Sequence, residues 1–132
     1  MREILFRGKR FYNGEWVEGY YAAEPYTKNT YNCGYILENE KDLFAKKACL
    51  VDSRTVGQYT GLNDKTGKKI FEGDIISCGY LCDFFVEYSE EDAEYWANFG
   101  DSIGSLHTYF DPKRATVIGN IYDNPELLEV KE

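Results

Sequence analysis

"VGQYTGLNDKTGKKIFEGDII", residues 56–76, is the stretch on which the reading of this chain turns. It gathers two Asp, one Glu, three Lys, two Thr and four Gly. Such a mixture is either a loop that binds or cuts something, or a turn that feeds a strand. Spacing tests the first option. A phosphate-binding loop has the form G-x-x-x-x-G-K-[ST], the last residue serving magnesium. Here five residues separate Gly61 from Gly67, and Lys68 is followed by Lys69, so no hydroxyl stands where the metal needs it. A calcium loop alternates oxygen ligands and closes on a bidentate Glu, which "NDKTG" does not do. Turn chemistry remains: Asn63, Asp64 and Gly67 hydrogen-bond locally or accept left-handed backbone. The stretch is expected to be a tight connection into a sheet, with a strand from Ile75 and Gly73 allowing the bend before it.

Strands are expected on either side. In "KRFYNGEWVEGYY", Asn13-Gly14 sits between aromatic-rich runs, the signature of a two-residue type I′ hairpin turn. It joins strands expected over 4–12 and 15–22. Pro25 ends the second, because it cannot donate to a ladder, and 24–34 reads as polar loop. An apolar run follows at 35–37 and a turn at 39–42. "LFAKKACLV" fits helical spacing at Leu43, Phe44, Lys47 and Leu50 but also a strand opening at Cys49, and stays undecided. "LCDFFVEYS" reads as a strand. Ser89-Glu90-Glu91-Asp92 has the shape of a capping box with Asp for Glu, and Tyr95, Trp96 and Phe99 follow at helical spacing, predicting a short helix over 90–99 closed by Gly100. Residues 106–110 read as a strand, Asp111-Pro112 as a turn, "ATVIGNIYD" as a final strand, and Asn124-Pro125 as the start of a short C-terminal helical turn.

The bulk numbers agree with a small sheet protein. A chain of 132 residues is expected to be one domain, and its 12 Tyr and 8 Phe suit pleated, half-buried surfaces. The net charge of −8 opposes binding to phosphate backbones. It is uneven: Asp83 to Asp101 carries seven acids and no Lys or Arg. No segment approaches the ~18 apolar residues of a membrane span, and "MREILFRGKR" has no signal-peptide core. A cytoplasmic location is expected, with Cys33, Cys49, Cys78 and Cys82 reduced. Their spacings match no zinc site, and no metal or cofactor is expected.

"QYTGLNDKTGKKIFEGDII", "VIGNIYDNPELL" and the opening "MREILFRGKRFYNGEWVEGYY" resemble the signature segments of the YopX family of phage and prophage proteins. Together they cover about two fifths of the chain, while 23–51 and 80–116 carry no family motif. The resemblance implies a mainly β fold with an SH3-type small barrel, one YopX-like domain over 1–132 with a hairpin region at about 1–50 and a barrel at about 51–128, and a bacterial host cell. It implies no activity and no catalytic residues.

The chemistry on offer is sparse. His107 is the sole histidine and has no sequence partner for a dyad or triad, and no G-x-S-x-G is present. A carboxylate pair brought together in space remains a route to an enzyme that sequence does not specify. A direct nucleic-acid binder would rely on Arg2, Arg7, Lys9, Arg10, Lys65, Lys68 and Lys69, and no direct binding is expected. An acidic DNA mimic would use Asp83, Glu87, Glu90, Glu91, Asp92 and Glu94. The first reading is an accessory protein that binds an unidentified phage or host protein. Its expected contact surface is the acidic, aromatic 90–99 segment: Tyr95, Trp96, Phe99, Glu90, Glu91, Asp92 and Glu94. That segment is read as an insertion outside the core, its rings docking on the barrel or on a second copy.

Overall fold

The computed structural model describes residues 3–23, 33–37, 49–79 and 82–128. The chain divides into two compact units, Met1–Tyr59 and Thr60–Glu132. The mainly β class expected from the sequence holds in both. An SH3-type barrel is not established by the strand arrangement.

The first unit contains β1 (Phe6–Arg10), β2 (Trp16–Ala23), β3 (Cys33–Leu37) and most of β4 (Cys49–Asn63). Each strand pairs antiparallel with the next, and β4 also pairs with β1, so the four strands close a ring. Closure requires an irregularity: the β1–β4 register passes from Arg7↔Gly57 to Lys9↔Asp52. The extra residues of β4 leave a Lys9 amide to be satisfied, and Thr55 Oγ1 accepts it at 2.9 Å. Gly8 faces the Val51 side chain so closely that a Cβ there would meet it at 3.0 Å. Val51, Ile36, Leu37 and Tyr59 are buried in this unit.

The β1–β2 hairpin forms where Asn13-Gly14 predicts it, with a different turn. Arg10 N–H donates to the Glu15 carbonyl, leaving a loop of 11–14, and Gly14 N–H donates back to Arg10. Gly14 alone has positive φ, +72°, whereas a two-residue type I′ turn needs it at Asn13 as well. Asn13 instead accepts the Glu15 amide on its side-chain oxygen at 3.0 Å.

In the second unit the end of β4 folds against β5 (Lys69–Phe71) across a turn at 64–68. An antiparallel sheet follows in the order β10-β6-β7-β8-β9, made of β6 (Asp74–Ser77), β7 (Phe84–Ser89), β8 (Glu94–Asn98), β9 (Ile103–Ser105) and β10 (Thr116–Asn120). Between β9 and β10 lies one helical turn, α1 (Leu106–Tyr109), and the described residues end on a 3₁₀ turn, Pro125–Leu128. The core joins Ile70, Ile76, Cys78, Phe84, Val86, Ala97, Leu106 and Ala115.

Two expectations are corrected. Residues 90–99 are not a helix. Ser89 Oγ does accept the Asp92 amide, at 3.2 Å, as a cap would. The chain then reverses through Ala93 at φ +54°, and Glu94–Asn98 becomes β8, paired with β7 and β9. Tyr95 and Phe99 satisfy helical spacing, yet Tyr95, Ala97 and Phe99 are also an alternating set, and pairing on both sides favours the strand. With Ala97 fully buried, the segment belongs to the core and is not an insertion. Residues 106–110, expected as a strand, form α1 instead, because Leu106 turns into the core and Phe110 N–H closes onto the Leu106 carbonyl. Of the loop expected over 24–34, residues 33–34 open β3 and 24–32 lie outside the described residues, as do the turn expected at 39–42 and the first part of "LFAKKACLV".

Candidate functional site

In the charged signature stretch Asp64 and Asp74 are spent on the backbone. Asp64 is buried. Its Oδ1 accepts the Thr66 hydroxyl at 2.7 Å and the amides of Thr66 and Lys68 at 2.9 and 3.0 Å. Its Oδ2 accepts the Val117 amide at the start of β10, at 3.0 Å. Burial alone would push this carboxyl up. The donors from Val117, Thr66 and Lys68 outweigh burial and hold it down at about 2. Asp74, buried too, accepts the Phe71 amide at 2.8 Å across the turn that Gly73 makes at φ +94°. Gly73 accepts the Ile121 amide at 2.9 Å. Asp64 and Gly73 thus add two ties between the signature blocks to the antiparallel pairing of β6 with β10.

Arg7 is buried with its guanidinium 4.7 Å from the centroid of the Trp16 ring, while Lys65 and Lys68 are exposed on the 64–68 turn. Arg2 lies outside the described residues. His107 is exposed on α1. Burial pushes the Cys78 thiol up, and its Sγ lies 3.8 Å from the Tyr109 carbonyl oxygen. Among the described residues no group of three or more His, Cys, Asp and Glu could hold a metal ion.

The expected contact residues are divided by the pleat of the β7–β8 hairpin. Tyr95 and Phe99 share the core-facing side with Ala97. Phe99 packs on Phe84 and Tyr109, with centroids 5.4 and 5.0 Å away, and Tyr95 meets Tyr88 edge-on at 5.1 Å. Trp96 and Glu94 point the other way. Glu90, Glu91 and Asp92 are exposed at the hairpin tip.

The outward side is an ordered surface. Register places Glu87, Trp96 and Ser105 in one row across β7, β8 and β9, and Phe85, Asn98 and Ile103 in the next. Trp96 Nε1–H donates to Glu94 Oε1 at 3.0 Å, Ser105 Oγ lies 3.5 Å from Glu94 Oε2, and Asn98 Nδ2–H donates to Glu87 Oε1 at 3.0 Å. Ile103 is 52% exposed. Glu87, Asn98, Ile103 and Ser105 were not among the expected contact residues. The alternation Phe85-Glu87-Ser89 in "FFVEYS" held the signal for Glu87, whereas a helix reading of 90–99 hid the cross-strand rows.

Fold and surface together define a class: a two-unit antiparallel β protein whose motif acids brace turns and whose outward acids sit on a sheet face. The family model described as YopX protein matches residues 5–129, nearly the whole chain, and the chain belongs to that family. The crystal structure of protein EF1440 from Enterococcus faecalis is similar over 98% of this chain and 100% of that one, with 23% sequence identity and a TM-score of 0.59, a likeness of fold. No curated protein matches.

Proposed function

We propose that this chain is a phage- or prophage-encoded accessory protein, acting in the bacterial cytoplasm by binding a partner protein rather than by catalysis. One observation carries the reading: the β7–β8–β9 face presents Trp96 and Ile103 among carboxylates on strands that contain no Lys or Arg. A partly exposed aromatic ring within a polar rim is the composition of a protein contact surface. Family membership supports the phage association. Asp64 and Asp74, the buried acids of the motif, are engaged with backbone amides, which favours a structural role for them.

Affinity capture from lysogenic cells tests the reading, using the full chain and a Trp96→Ala variant shown by circular dichroism to be folded. A protein retained by the parent and lost from the variant is expected. Identical retained sets would remove this face as the contact surface. The same acids would also serve a DNA mimic, and that reading predicts that duplex DNA displaces the captured partner.

A further inference from the structure

We propose that the outward face around Trp96 is an arginine-binding surface, occupied by an arginine-bearing segment of the partner protein. This rests on the partner-binding reading above and names the chemistry of the contact. Glu87 stands across from Trp96 on β7, and Glu94 stands two residues before it on the same side of β8. The two carboxylates therefore border the indole from different directions. Both are oriented by neutral donors: Asn98 holds Glu87, while Trp96 and Ser105 hold Glu94. These bonds aim the oxygens without neutralising them.

Among the described residues no Lys or Arg forms an ion pair with Glu87 or Glu94. The sequence from Ile70 to Pro112 contains no Lys or Arg. The ion pairs Arg10–Glu15, Arg54–Asp52 and Arg114–Asp111 all lie off this face. Like charges on neighbouring positions of one sheet face repel. A single external cation between them relieves that repulsion and pairs with both.

The indole selects which cation. A guanidinium is planar, stacks flat on an aromatic face and directs donors outward along its edge, whereas an ammonium is a point charge. Stacked on Trp96, its edge would point toward Glu87 and Glu94. The chain already uses this pairing internally, with Arg7 over Trp16. Exposed Ile103, in the next row, offers apolar contact to the aliphatic stem or a neighbouring residue of the segment. The negative field that attracts such a segment repels a phosphate backbone, so nucleic acid is not the occupant.

The test is a titration of the ¹⁵N-labelled full chain with the capped peptide Gly-Arg-Gly-Arg-Gly, following the two indole N–H signals. The Trp96 signal is expected to shift saturably while that of Trp16 stays in place. Glu87→Gln and Glu94→Gln keep the neutral hydrogen bonds and the fold, and each is expected to weaken binding about fivefold, as does lysine in place of arginine in the peptide. Citrulline in place of arginine, which keeps the shape and removes the charge, is expected to abolish it. No saturable shift, an equal shift of Trp16, or equal affinity for the citrulline peptide overturns the proposal. A failed peptide titration overturns the arginine assignment even where the capture result stands. A peptide bound at Trp96, with a capture that ignores Trp96→Ala, supports the arginine site and overturns the partner reading instead.

Discussion

Two acidic regions of this chain put their charge to opposite uses. Around the 64–68 turn the carboxylates point inward: Asp64 gathers donors from its own loop and from Val117, fifty-three residues away in sequence. Along the β7–β8 hairpin they point outward, and Glu90, Glu91, Asp92 and Glu94 are exposed. The difference separates folding from recognition. A buried carboxylate with several donors is part of the architecture, and losing it leaves backbone amides unsatisfied. An exposed one contributes little to stability and is available to a partner.

The largest effect should come from erasing the strand that the sequence disguised. Replacing residues 89–100 with a Gly-Ser link removes β8, Ala97 and the Phe99 ring from the second core. The cooperative unfolding transition of that unit should be lost in circular dichroism. A variant that still folds cooperatively would restore the insertion reading. Next comes Asp64→Ala, which orphans the amides of Val117, Thr66 and Lys68 and should cost about 3 kcal/mol in urea unfolding. A loss within ~0.5 kcal/mol would place Asp64 among the exposed, dispensable acids.

Acid should act on the same residue. Its folded carboxyl lies at about 2 against an ordinary value of 3.8. Between these values the unfolded chain binds more protons, so the contribution is complete above about pH 4 and is lost as the pH falls through 2. That contribution is roughly 2 kcal/mol. In Asp64→Asn the acid-induced loss over this window should shrink correspondingly, as read from urea midpoints at each pH.

The smallest effects compare the two hairpin loops, 11–14 and 90–93, each ending on a left-handed residue: Gly14 at +72° and Ala93 at +54°. Glycine takes that conformation freely, while alanine bears steric strain. Gly14→Val should destabilise by about 1 kcal/mol or more, and Ala93→Gly should stabilise by about 0.5 kcal/mol. A thermal midpoint raised by Gly14→Val or lowered by Ala93→Gly would break the parallel.

How far the sequence reveals this molecule depends on how local the deciding interaction is. Asn13-Gly14 announces a hairpin because the turn residues themselves carry the preference, although loop length escaped. "NDKTG" announces a turn for the same reason, yet Asp64's bond to Val117 is long-range and no local pattern marks it. Tyr95, Trp96 and Phe99 fit two periods at once, and only pairing with β7 and β9 decides between them. Residues 106–110 are too short a run for either period to prevail. The contact surface was half legible: the acids and Trp96 stand in one segment, whereas Glu87 and Ser105 reach it by register.

The division between inward and outward acids is tested most directly by urea midpoints of two neutralised proteins measured side by side. Asp64→Asn should lower the midpoint, because the buried charge serves the fold. Glu87→Gln/Glu90→Gln/Glu91→Gln/Glu94→Gln should leave it unchanged or raise it, since like charges on one face are removed. A quadruple variant that falls as far as Asp64→Asn would show that the outward acids also hold the fold, and would contradict the account.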